Sequence, residues 1–247
     1  MNVWKDISVV AIDADDTLWD CQSHFEQVEE RLYEVLRPWT SDGKRELFIT
    51  ESQNMADLGY GCKAFTLSVI ETALRVSKGE VSTEAIGSLL NMGKQLLHLP
   101  ATPLPGVKET LQQLREICDA AGKDAPRLVV FTKGELQDQE NKLRRSGLVD
   151  FFDDVEITSD KTQHEFRQLC HHQGIHPSRL LMIGNSLKSD IAPALAVGAW
   201  AIHIPFYVTW QIEQYAIGDG GNATRVEDFD HERLFRVESF RDILQFF

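Results

Sequence analysis

VVAIDADDTLWD, residues 9–20, runs apolar for four residues and then turns acidic, with Asp13, Asp15 and Asp16 inside four positions. The apolar half is too short for a helix and reads as a strand buried on both faces. Asp13 therefore falls at the carboxyl end of such a strand, where open α/β sheets place ligands. Crowded carboxylates repel one another and are costly to bury unless a cation neutralises them. A solvated acidic turn would explain an arbitrary Asp-x-Asp. The apolar run before it favours a carboxylate held rigidly at a sheet edge.

Outward from this stretch the strand pattern recurs in ISVVAID (7–13), RLVVFT (127–132), VEIT (155–158), RLLMIG (179–184) and WAIHIP (200–205). Helical stretches lie between them. In GVKETLQQLREICDAAG, for instance, Val107, Leu111, Leu114, Ile117 and Cys118 share one face. Strand and helix in alternation imply an α/β fold, a doubly wound parallel sheet. The alternation breaks between residues 18 and 102, where four helical patterns follow one another and no strand is evident. We expect a helical insert over 18–102, ended by the PLPG turn at 103–106, in a core made of 1–17 and 103–247. A helix around ESFRDILQFF is expected to close the sheet, and GDGGN (218–222) reads as a turn.

The composition narrows the function. A net charge of −13 over 247 residues argues against a nucleic-acid polymer as partner. No apolar run approaches the ~20 residues of a membrane span, and MNVWKDIS lacks signal-peptide character. A cytoplasmic location and no membrane partner are the expectation. The four cysteines form no Cys-x-x-Cys pair, so packed, reduced thiols are expected.

Three further signals stand at or near strand ends. Thr132 opens the TKGE loop and reads as an oxyanion donor or a helix cap. Lys161 reads as a cation for phosphate or a solvated charge. Asn185 and Asp190, in GNSLKSD, offer oxygens that suit a hard metal, although Asp190 also reads as a helix N-cap.

Taken in order, Asp13-Ala14-Asp15-Asp16-Thr17, then Thr132, Lys161 and Gly184-Asn185-Ser186-Leu187-Lys188-Ser189-Asp190 resemble the motifs of the haloacid dehalogenase superfamily. The insert after the first motif resembles that family's C1-type helical cap. The resemblance implies an Mg²⁺-dependent phosphatase for a small phosphorylated metabolite. Asp13 would be nucleophile and Asp15 general acid and base. Mg²⁺ would be held by Asp13, the Asp15 carbonyl, Asn185 and Asp190, and phosphate by Thr132, Lys133 and Lys161. Asp16 would be a turn residue and Thr17 one that fixes the loop. Asn185 departs from the Asp usual in the family's acidic motif and removes one negative charge.

A dehalogenase of the same family is the alternative, disfavoured because those enzymes lack an Asp at the position of Asp15. A non-catalytic phosphate-binding protein on the same fold is another. A receiver domain is disfavoured by motif order. Substrate choice is expected from the insert, where Tyr60 and Lys63 follow Gly59 in ADLGYGCKAF. The glycines there also suit a plain interhelical turn. Trp19 reads as hinge packing or as a wall of the site. The sequence does not indicate an oligomeric state.

Overall fold

The computed structural model describes residues 6–122, 125–207 and 232–247. The chain separates into two compact units, one of Met1–Asp20 with Ala101–Phe247 and the other of Cys21–Pro100.

Among the described residues the first unit holds six parallel strands, β1 (Val9–Ile12), β2 (Arg127–Lys133), β3 (Asp154–Thr158), β4 (Leu180–Gly184), β5 (Trp200–His203) and β6 (Leu234–Arg236), in the order β3-β2-β1-β4-β5-β6. Every residue of β1 is fully buried, and alternate side chains serve opposite faces. Val10 and Ile12 pack with Val107, Leu111 and Leu114 of a helix at Val107–Ala121. Val9 and Ala11 pack with Phe166, Leu169 and Cys170 of a helix at Gln163–His172. Helices therefore cover both faces, the reason these strands read as unbroken apolar runs. β1 lies between β2 and β4, and the direction of strand succession reverses there, so its carboxyl end is the switch point of the sheet.

The second unit consists of α1 (Gln22–Leu36), α2 (Gly43–Leu58), α3 (Cys62–Val76) and α4 (Thr83–Leu96). Val28, Leu32, Leu36, Leu47, Phe65 and Leu89 form its own apolar core. Among the described residues the remaining α-helices are α5 (Val107–Ala121), α6 (Leu136–Ser146), α7 (Gln163–His172) and α8 (Ala192–Ala196). All four cysteines are buried thiols outside any disulfide.

The expected closing helix forms, but as a 3₁₀ helix, and a short strand precedes it. The edge of the sheet is β6, whose three residues, Leu-Phe-Arg, carry too short an apolar pattern to be recognised. Residues Phe240–Phe246 form a 3₁₀ helix, started by a Ser239–Asp242 capping box. The expected turn at 218–222 lies outside the described residues.

Candidate active site

β1 ends at Ile12, and the Asp13 N–H still donates to the Ile183 carbonyl of β4 at 2.9 Å, which fixes the start of the following loop. The chain then folds back on itself. Asp16 takes a left-handed φ of 63°, a conformation that Asp tolerates better than most residues. The Leu18 N–H reaches the Ala14 carbonyl at 2.8 Å, and the Asp16 N–H the Trp19 carbonyl at 2.8 Å. Inside this turn the Thr17 hydroxyl donates to Asp13 Oδ2 at 2.8 Å and lies 3.3 Å from Asn185 Oδ1, bringing the first and last motifs together.

The loop after β4 builds the other wall. Asp190 sits in a single π-helical turn, Leu187–Ile191, and not at a helix N-cap. Ser186 is the cap, accepting from the Ser189 N–H at 3.0 Å. Asp190 Oδ2 accepts from the Ser186 N–H at 2.9 Å. Its carboxylate fills the space a β-carbon on Gly184 would need, with Cγ at 2.5 Å from that point, so only glycine fits there. Asn185 is fixed through its backbone. Burial lowers the pKa of His203, and the neutral ring's Nε2–H donates to the Asn185 carbonyl at 2.9 Å.

Lys161 joins the two walls. Its ammonium donates to Asp13 Oδ1 at 2.5 Å and Asp190 Oδ1 at 2.7 Å, and lies 5.3 Å from the centre of the Phe131 ring. Burial alone would lower the pKa of Lys161, but the two carboxylates raise it and keep the ammonium charged. One cation thus serves two buried carboxylates. Burial first, then repulsion from Asp190, push the Asp13 carboxyl up to about 7 despite the donors Lys161 and Thr17.

Asp15 faces a different environment. Its Oδ1 accepts from Trp19 Nε1 at 2.7 Å and its Oδ2 from Gln139 Nε2 at 2.7 Å, while Lys142 Nζ lies 2.8 and 2.6 Å from the two oxygens. Burial would raise its pKa, but the Lys142 charge and these hydrogen bonds outweigh it and hold Asp15 below the usual carboxylate range. The two aspartates of one loop are therefore driven in opposite directions.

The model of the haloacid dehalogenase-like hydrolase family matches residues 7–198, from before β1 to just past α8. The chain belongs to the haloacid dehalogenase-like hydrolases. A solved haloacid dehalogenase-like family hydrolase from Xanthomonas campestris is 29% identical, with a TM-score of 0.80 over 97% of this chain and 91% of the other. A putative hydrolase of the same superfamily from Bacillus subtilis, solved bound to magnesium, shares the fold at 16% identity and a TM-score of 0.63, over 97% of each chain. Human N-acylneuraminate-9-phosphatase is 25% identical over 136 residues, 52% of this chain and 51% of that protein, so the chain spans about half the length of the curated relative it matches.

Within this hydrolase fold Lys161 bonds directly to Asp13 and Asp190, and the Thr17 hydroxyl links Asp13 to Asn185. Thr132 is buried near the end of β2, and Lys133, the last residue of that strand, donates to Ser189 Oγ at 2.7 Å. Trp19 is 1% exposed and packs in the core, and its ring N–H donates to Asp15 Oδ1. Tyr60 and Lys63 belong to the second unit, at the junction of α2 and α3. Gly59 and Gly61 turn the chain there with φ of 66° and 116°.

Gln139, Lys142, Ser189 and His203 were not evident from the sequence. A signal for the first two exists. The buried stripe of α6 passes through Leu143, and one turn back, and next to Leu143, it must use Gln139 and Lys142, polar residues at positions where a sheet-packing helix ordinarily carries apolar ones.

Proposed function

We propose that this hydrolase is a Mg²⁺-dependent phosphatase that cleaves a small phosphate monoester through an aspartyl-phosphate on Asp13, in the cytoplasm. The observation that carries this reading is the pair of aspartates on one loop, Asp13 beside Lys161 and Thr17, Asp15 among Trp19, Gln139 and Lys142. A dehalogenase has no leaving alkoxide to protonate and no use for Asp15 in that place.

An Oδ atom of Asp13 attacks phosphorus, and the bond from phosphorus to the leaving oxygen breaks. Asp15, ionised in the free site, takes up the proton carried by the phosphate monoanion and passes it to the leaving alkoxide. Asp15, again ionised, accepts a proton from water as that water attacks the aspartyl-phosphate, which frees inorganic phosphate and restores Asp13. The Thr132 loop, Lys133 and Lys161 hold the non-bridging oxygens, whose charge must be stabilised.

The donors available for a cation are all oxygens, namely the Asp13 and Asp190 carboxylates, the Asn185 amide and the Asp15 carbonyl, a set that fits Mg²⁺. The Thr17 hydroxyl, reaching both Asp13 Oδ2 and Asn185 Oδ1, supports that fit. When bound, Mg²⁺ supplies the positive charge that keeps Asp13 ionised and offsets its repulsion from the phosphate. Residues 18–102 serve as the cap, and Tyr60 and Lys63 are assigned to choice of the leaving group.

Release of phosphate from a panel of phosphorylated metabolites, with and without Mg²⁺, tests this reading against release of halide from 2-haloacids. Halide alone would overturn it.

A further inference from the structure

The polar face of α6 raises a separate question. A helix that packs on this sheet gains most by burying apolar side chains, yet Lys142 is 2% exposed and Gln139 4% exposed. Taking an ammonium out of water carries a desolvation cost of several kcal/mol, and an ion pair in that place is seldom more stabilising than an apolar packing of the same volume. Stability alone therefore does not account for these residues.

Their hydrogen bonds converge on one target. Lys142 Nζ meets both oxygens of Asp15 at 2.6 and 2.8 Å, and Gln139 Nε2 meets Oδ2 at 2.7 Å. Two second contacts brace the donors. Asp138, one turn before Lys142, lies 3.5 Å from its ammonium, and Gln139 also donates to the Lys133 carbonyl at 2.9 Å, tying α6 to the end of β2. Trp19 completes the set from the Asp15 loop itself at 2.7 Å. The carboxylate is gripped from two directions, so its torsions are fixed relative to the loop that carries Asp13.

We propose that Lys142 and Gln139 are positioning residues that hold the Asp15 carboxylate in the orientation from which it exchanges a proton with the leaving oxygen. The inference rests on the phosphatase reading above and deepens it. A general acid works only within hydrogen-bond reach of the atom it protonates, and a displacement of about 1 Å can cost on the order of 10²-fold in rate. An unbraced Asp15 would sample several rotamers, and the loss would fall on reactions in which the leaving group needs a proton.

That dependence gives a test which a merely structural role would not pass. Values of kcat/KM are compared for an alkyl phosphate, whose alkoxide must be protonated, and for acetyl phosphate, whose acetate leaves without a proton. Because kcat/KM reports only steps through the first irreversible one, the later attack of water does not enter. Lys142→Met is expected to lower kcat/KM by about 30-fold or more on the alkyl phosphate and by less than about 3-fold on acetyl phosphate. Gln139→Ala should shift the ratio in the same direction by a smaller factor, and Lys142→Arg should restore most of it. Equal losses on both substrates, or none, would overturn the positioning role while leaving the phosphatase reading intact. A wild-type enzyme that releases phosphate from neither substrate would overturn both. If Lys142→Met fails to give a cooperative thermal transition, the ratio for Gln139→Ala decides, and an unchanged ratio there counts against the proposal.

Discussion

Lys161 Nζ lies 2.5 Å from Asp13 Oδ1, a buried ion pair at the switch point of the sheet, with Asp190 as the ammonium's second partner at 2.7 Å. Replacing the cation leaves two carboxylates facing one another away from water. Lys161→Met should destabilise the metal-free protein by roughly 3–5 kcal/mol near pH 8, the range found when one member of a buried pair is removed. Urea unfolding in the presence of a chelator measures it. An unchanged midpoint would mean that the pair contributes nothing to the fold.

The raised pKa of Asp13 predicts a pH dependence with a definite sign. Its folded value of about 7 lies above the ordinary carboxylate range near ~3.9. Its contribution to the stability of the metal-free protein is therefore complete below about pH 4 and is lost as pH rises through 7. Mg²⁺ needs the carboxylate, so binding should release up to about one proton at pH 6 and none at pH 9. Calorimetry in buffers of different ionisation enthalpy reads that proton directly. A heat independent of buffer at pH 6 would contradict it.

Asn185 supplies an amide oxygen where a carboxylate would add one negative charge. Asn185→Asp should tighten Mg²⁺ binding by roughly tenfold, about 1.4 kcal/mol. It should also weaken the metal-free fold, because a carboxylate there would share the Thr17 hydroxyl with Asp13 and add like charge beside it. Titration with Mg²⁺ and thermal melting in a chelator check the two halves. Unchanged affinity would remove Asn185 from the proposed ligands.

Lys63 is exposed at the α2–α3 junction, so its removal should leave thermal stability within about 0.5 kcal/mol. On a substrate found by metabolite screening, Lys63→Ala should raise KM several-fold with acetyl phosphate turnover unchanged. Identical kinetics on both would take Lys63 out of substrate choice.

What was readable in the sequence follows from how strongly each element is constrained. β1, β2, β4 and β5 are buried and apolar enough to stand out, and Asp13, Thr132, Lys161 and Asp190 could be placed by counting from strand ends. β6 could not, since Leu234–Arg236 carries three residues and only two apolar side chains. The partners of Asp15 were hidden for another reason. Gln139 and Lys142 come from 124 and 127 residues away, and a polar helix face gives no sign of which carboxylate it will meet. His203, the last residue of β5, reaches back to the Asn185 carbonyl, a contact set by the β4–β5 register and not by any motif.

The central claim is that Asp13 forms the bond to phosphorus. Brief exposure of the protein to acetyl phosphate and Mg²⁺, followed by acid quench and intact-mass measurement, should show a population heavier by one phosphoryl group and discharged by hydroxylamine. Peptide mapping should place the group on Asp13, and Asp13→Asn should show neither the adduct nor phosphate release. Phosphate release that persists in Asp13→Asn, or an adduct on another residue, would contradict the account.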